Sequence, residues 1–222
     1  MAKRLAIDFN FYWLTSNHMI NKMNQLYILL VAMLLCLPCK AQKLDVKTIS
    51  DQAMKQFKTS GTTILKNIRF KDKNGLNYVI ATMEEAAKDD YTAKTLWIEH
   101  FIEESTKKLK LVREIIDVEK DCPVDNQLSL IDDAFEVTDL DRNGYAEIIF
   151  MYKTGCKGDV SPSGLKLMVL QNGSKAAIRG RTVITGFNFP HEKQPDVAFK
   201  QLPKVIQQYA NNLWNKFEKE YE

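Results

Sequence analysis

The stretch Asp139-Leu-Asp141-Arg-Asn143-Gly144-Tyr145-Ala-Glu147 concentrates oxygen-bearing side chains at loop positions 1, 3, 5 and 9. Calcium takes roughly six to eight hard oxygen ligands, and a tight loop can supply them from alternate side chains, one backbone carbonyl and a closing carboxylate. The ligand set read from this spacing is the carboxylates of Asp139, Asp141 and Glu147, the amide oxygen of Asn143 and the backbone carbonyl of Tyr145. Gly144 allows the sharp turn that such wrapping requires. A second reading needs no metal: Asp and Asn side chains hydrogen-bond nearby backbone in turns, and Asn-Gly turns a chain unaided. A partial echo, Phe70-Lys-Asp72-Lys-Asn74-Gly75-Leu-Asn-Tyr78, lacks the first and last ligands.

The other reactive side chains are sparse. Cys36 and Cys39 lie in an apolar amino-terminal segment, which leaves Cys122 and Cys156 for the rest of the chain. If that part enters an oxidising compartment, a Cys122–Cys156 disulfide is expected, with two free buried thiols as the other possibility. Hydrolytic chemistry needs an activated nucleophile or an acid/base pair. His100 is in phase with Leu96, Ile98 and Ile102 and reads as a hydrogen-bonded histidine at the edge of the core. His191 follows Phe189-Pro190 in a loop and reads as solvated, and Ser161 and Ser163 flank Pro162 in a turn. Asp132-Asp133 could serve glycoside chemistry but reads first as a solvated acidic face, and Trp97 and Trp214 read first as core. No catalytic set is assigned.

The elements that must position these residues follow from apolar periodicity. Val46, Ile49, Ala53 and Phe57 recur at helical spacing before Gly61, which predicts a short helix over 46–58. Strands are then expected in pairs: 62–70 with 76–83 around Asn74-Gly75, and 93–103 with 108–118 around a polar turn. Two further pairs are 134–138 with 146–152, and 165–170 with 176–179 around Asn172-Gly173. The apolar phase switches between Leu111 and Val112, which predicts a bulge. Leu202, Ile206, Tyr209, Leu213 and Phe217 mark a carboxyl-terminal helix with Pro203 in its first turn. The expected fold class is α+β: a single domain over 42–222, mainly an antiparallel meander of about eight strands, with one helix at each end and the sheet packing the second of them.

The amino end reads as a targeting segment. Leu26–Leu37 is an unbroken apolar run of about a dozen residues, shorter than the roughly 20 of a spanning helix. Lys22 precedes it, Ala41 suits the residue before a signal-peptidase cut, and Met19 or Met23 would start a signal peptide of ordinary length. Cleavage is expected after Ala41, so that residues 1–41 form the extension and signal peptide. An uncleaved anchor and a lipoprotein acylated on Cys39 or Cys36 stand beside that reading. Removing Lys3, Arg4, Lys22, Lys40 and Asp8 takes 31 basic and 28 acidic side chains to 27 of each. The mature chain is then neutral, which argues against a nucleic-acid partner, and no transmembrane anchor is expected in it.

The acidic loop is not an EF-hand, because position 12 is Phe150 and a strand pattern follows. It resembles the short calcium loops of integrin-type propeller repeats, with Asn143 where those have a third Asp; one good copy does not make a propeller. Val137–Glu147, Met151–Ser163, Leu165–Met168 and Ala176–Gly180 together resemble a family of exported Bacteroidota proteins labelled "surface polysaccharide biosynthesis protein". The similarity covers roughly residues 121–180, and its most specific piece is Cys156-Lys-Gly-Asp-Val-Ser-Pro162. The resemblance implies an envelope location and a link to surface glycans, and carries no catalytic residues with it. The expected function is an exported, non-enzymatic envelope or periplasmic domain with structural calcium, its partner a glycan, peptide or envelope protein. The alternative is a hydrolase or transferase acting on surface polysaccharide.

Overall fold

The computed structural model describes residues 44–220. The signal segment, its cleavage position, Cys36 and Cys39 lie outside them. The fold is α+β and mostly antiparallel strand, arranged as two five-stranded sheets. In the first, β1 (Lys47–Thr48), β2 (Thr63–Asp72), β3 (Gly75–Lys88), β4 (Tyr91–Glu103) and β5 (Leu109–Cys122) lie side by side in chain order. After the short β6 (Asp125–Asn126) come β7 (Ser129–Thr138), β8 (Glu147–Thr154), β9 (Cys156–Lys157), β10 (Gly164–Gln171), β11 (Ser174–Arg181), β12 (Val183–Ile184) and β13 (Lys193–Pro195). The second sheet has the order β13-β11-β10-β8-β7.

The run Ile148-Ile149-Phe150-Met151-Tyr152 has no polar alternation because both faces of β8 are covered. Ile148, Phe150 and Tyr152 meet Phe70, Val79, Leu96 and Ile98 of the first sheet in one core. Ile149 and Met151 point the other way, into a second core with Phe199, Ile206, Leu213 and Trp214. Those residues come from α2 (Val197–Gln201) and α3 (Lys204–Phe217); α1 is Asp51–Met54. The predicted stripe therefore packs on one face of a sheet as expected, with Pro203 at the N-cap of α3. No helix among the described residues is long and apolar enough to cross a membrane.

Two expectations need correction. The helix over 46–58 shrinks to four residues, because Lys47 and Thr48 pair with Arg69 and Ile68 at the open edge of β2. Edge pairing satisfies backbone groups on both strands there, and Ser50 then caps the helix by accepting from the Ala53 amide. Ile49 and Phe57 still pack, against Tyr78 and Ile80, although the chain there is not helical throughout. Trp97 is only half-buried, whereas Trp214 is fully enclosed. The predicted bulge is present: His100 pairs with Arg113 and Phe101 with Leu111, leaving Val112 as the extra residue.

Candidate metal centre

The loop between β7 and β8 carries the predicted ligands. Arg142 and Gly144 both take positive φ, 58° and 85°, which folds the chain back on itself within a few residues. A Cβ on Gly144 would lie 3.5 Å from the Lys73 side chain, so a side chain there would cost backbone strain more than space. Asp139, Asp141 and Glu147 each place a carboxylate oxygen within 4.8 Å of the others. This acidic group can hold a metal ion. Glu147 is fully buried as the first residue of β8, and Asp139 is 7 % exposed.

The hydrogen bonds sort the predicted ligands into two kinds. Glu147 Oε2 accepts from Thr138 Oγ1 at 2.8 Å and from the Leu140 amide at 2.9 Å, which aims the carboxylate at the loop. Burial pushes the Glu147 carboxyl up, these two donors lower it, and the charges of Asp141 and Asp139 raise it again. Asp139 Oδ1 is buried with no partner. Asn143 behaves differently: its Oδ1 accepts the Tyr145 amide at 2.7 Å, and its Nδ2 donates to Asp141 Oδ2 at 2.9 Å. Asp141 Oδ1 accepts the Asn143 amide at 3.2 Å. The turn chemistry and the acidic cluster thus coexist in one loop, with Asn143 serving the turn at its exposed edge.

Two neighbours of the site carried no sequence signal for this role. Gln171 ends β10 directly across the ladder from Glu147, and its Nε2 donates to Glu147 Oε1 at 3.0 Å. The echo at 70–78 is a brace for the loop: Asp72 Oδ2 accepts the Ala146 amide at 3.0 Å, and the Lys73 amide donates to the Gly144 carbonyl at 2.7 Å. Asn77 Nδ2 donates to Asp72 Oδ1 at 2.7 Å, and Asn77 Oδ1 pairs with His100 Nε2 at 2.8 Å. A polar chain, buried at its His100 end and half-buried at Asp72, therefore runs from His100 to the last turn of the loop. Cross-sheet partners of this kind are invisible to local spacing.

The remaining chemical candidates fall elsewhere. Cys122 and Cys156 are joined, with Cα atoms 5.5 Å apart. His191 lies on the surface, as read, but bonds Glu218 at 3.0 Å. Asp132 is largely solvated and pairs with Lys66. A cavity of about 500 Å³ is lined by Cys156, Lys157, Ser161–Gly164, Arg179, Arg181 and Glu192. It coincides with the Cys156–Pro162 segment; around it Lys157 bonds Glu220, Arg179 faces Asp196 and Arg181 faces Glu192. A larger opening of about 770 Å³ holds Glu103 and Glu104. There Lys107 and Tyr78 hydrogen-bond Glu103 and hold its carboxyl below the usual range. Compared with models of protein families, with curated proteins and with solved structures, the chain gives no match.

Proposed function

We propose that residues 42–222 form an exported, non-enzymatic envelope or periplasmic domain. In this reading calcium held by the carboxylates of Asp139, Asp141 and Glu147 and the carbonyl of Tyr145, with Asn143 shaping the turn, stiffens the β7–β8 connection, and the partner is a surface glycan or envelope protein. The observation that carries it is Asp139 Oδ1, buried and unpartnered beside two further carboxylates. A buried acceptor left without a donor is costly, and three carboxylates this close repel unless a cation or protons intervene. An all-oxygen donor set with three acids suits a hard divalent ion. Of the two histidines in residues 42–222, His100 is buried against Asn77 and His191 pairs with Glu218 on the surface.

With this ligand set the affinity should lie in the weak extracellular range, on the order of 10⁻⁴ M. At millimolar calcium, mass action then adds about 1–2 kcal/mol of stability. The melting temperature should rise modestly from chelator to millimolar calcium in the wild type, while Asp141→Ala stays folded and shows no rise. Identical wild-type curves in the two conditions would make the loop a plain turn.

Export is supported by the apolar run ahead of Ala41 and by the cysteine pair, which suits an oxidising compartment. The protein isolated from its own host should begin at Gln42. Intact mass decides this, since a species retaining earlier residues or carrying lipid on Cys39 contradicts soluble export.

A further inference from the structure

Resting on the calcium reading above, we infer that Gln171 is a ligand of the same ion, presented to the loop by the neighbouring strand. Calcium wants more oxygens than the three carboxylates and one carbonyl provide. Loop position 5 should add an amide oxygen, but Asn143 Oδ1 is engaged by the Tyr145 amide at 2.7 Å. Gln171 offers a replacement. Its register partner is Glu147, so the two side chains share one face of the ladder. Its amide lies between two of the acids, with Nε2 3.0 Å from Glu147 Oε1 and 3.5 Å from Asp141 Oδ2.

The orientation of that amide follows from charge. With no cation among them, the carboxylates attract the positive NH₂ end. A cation placed among the same oxygens repels NH₂ and attracts the carbonyl end. Half a turn about the terminal bond exchanges Nε2 for Oε1, and this torsion is soft and roughly two-fold in glutamine. Thr138 Oγ1 and the Leu140 amide still hold Glu147 after the exchange, so it does not leave that carboxylate without donors. Gln171 also borders a cavity of about 480 Å³, together with Asn143 and Tyr145. Solvent therefore stands ready to fill any coordination position that Gln171 gives up.

Terbium tests this directly, because Tyr145 in the loop can sensitise its emission and lifetimes in H₂O and D₂O count the waters bound to the ion. Gln171→Leu should add one inner-shell water and weaken calcium, measured by competition with terbium, on the order of tenfold. Gln171→Glu, which restores an oxygen at that place, should return the water count to that of the wild type. Asn143→Ala should leave the count unchanged. If Gln171→Leu keeps both the water count and the affinity while Asp141→Ala abolishes binding, Gln171 is only a hydrogen-bond partner and the calcium reading stands alone. If the wild type binds no terbium and no calcium, the calcium reading fails and this inference fails with it.

Discussion

Replacing Cys122 and Cys156 together by alanine should lower the free energy of unfolding by about 3–4 kcal/mol in the chain-entropy model. The bond joins residues 34 apart in sequence, and opening it returns the corresponding loop entropy to the unfolded chain. Cys122 ends β5 in the first sheet, and Cys156 follows β8 of the second, so the bond staples one sheet to the other. Hydrogen bonds from Gly155 to Glu119 and from Gln127 to the Gly155 carbonyl hold the same corner. The double variant should therefore still fold, with a lower urea midpoint, and should still respond to calcium, since β7 and β8 pair on both sides of the metal loop without help from the bond. Equal midpoints for the variant and the non-reduced wild type would argue against the bond, and so would two free thiols titrating in unfolded, non-reduced wild type.

Where the chain was legible, one physical signal sufficed. The strand pairs around Asn74-Gly75 and Asn172-Gly173 combine a turn that favours φ > 0 with apolar flanks, and both hairpins form, with Gly75 and Gly173 at φ 104° and 76°. The acidic loop was legible for a related reason: its acids are close in sequence, so spacing alone brings Asp139, Asp141 and Glu147 together. The phase switch at Val112 marked a bulge because a single extra residue reverses which face is apolar.

What escaped the sequence depends on partners that are distant along the chain. The expected strand 76–83 continues through Glu84–Lys88, which pairs with Tyr91–Thr95 beyond the cores; Glu84–Lys88 are exposed, so no apolar alternation announces that extension. Whether 46–49 coils or pairs depends on the open edge of β2, which lies some twenty residues downstream. Gln171 reaches the acidic loop only because β10 pairs with β8 in one particular register. Asp72 was noticed as part of an incomplete second copy of the loop, and its actual work, accepting the Ala146 amide, requires the two sheets to be packed together.

That packing also sets the last expectation, an acid-dependent loss of stability centred on His100. The ring is 4 % exposed, lies beside Phe70, and has Nε2 on Asn77 Oδ1 and Nδ1 buried without a partner. Burial lowers its pKa from 6.5 to about 4, against a smaller opposing pull from Asp72. Above pH 6.5 the ring is neutral in both folded and unfolded chains and contributes no slope. As pH falls from 6.5 towards 4, the unfolded chain takes up a proton that the folded one refuses, so stability drops across that window. The shift corresponds to about 3 kcal/mol, complete near pH 4. Glu99 and Glu147 act in the opposite sense, since burial raises both and the folded state gains as each protonates first. Glu220, brought to about 2 by Lys157, Ser163 and Lys153 despite its burial, loses its contribution only at lower pH, from the ordinary carboxylate range downward. His100→Gln keeps an amide donor for Asn77 and removes the titration, so comparing the two proteins isolates the histidine from these carboxylates. In urea unfolding under chelator, the wild type should lose about 3 kcal/mol more than His100→Gln between pH 7 and pH 4. Parallel pH profiles for the two proteins, or a His100 ring resonance that titrates near 6.5 in the folded state, would show that the ring is not buried as a neutral group.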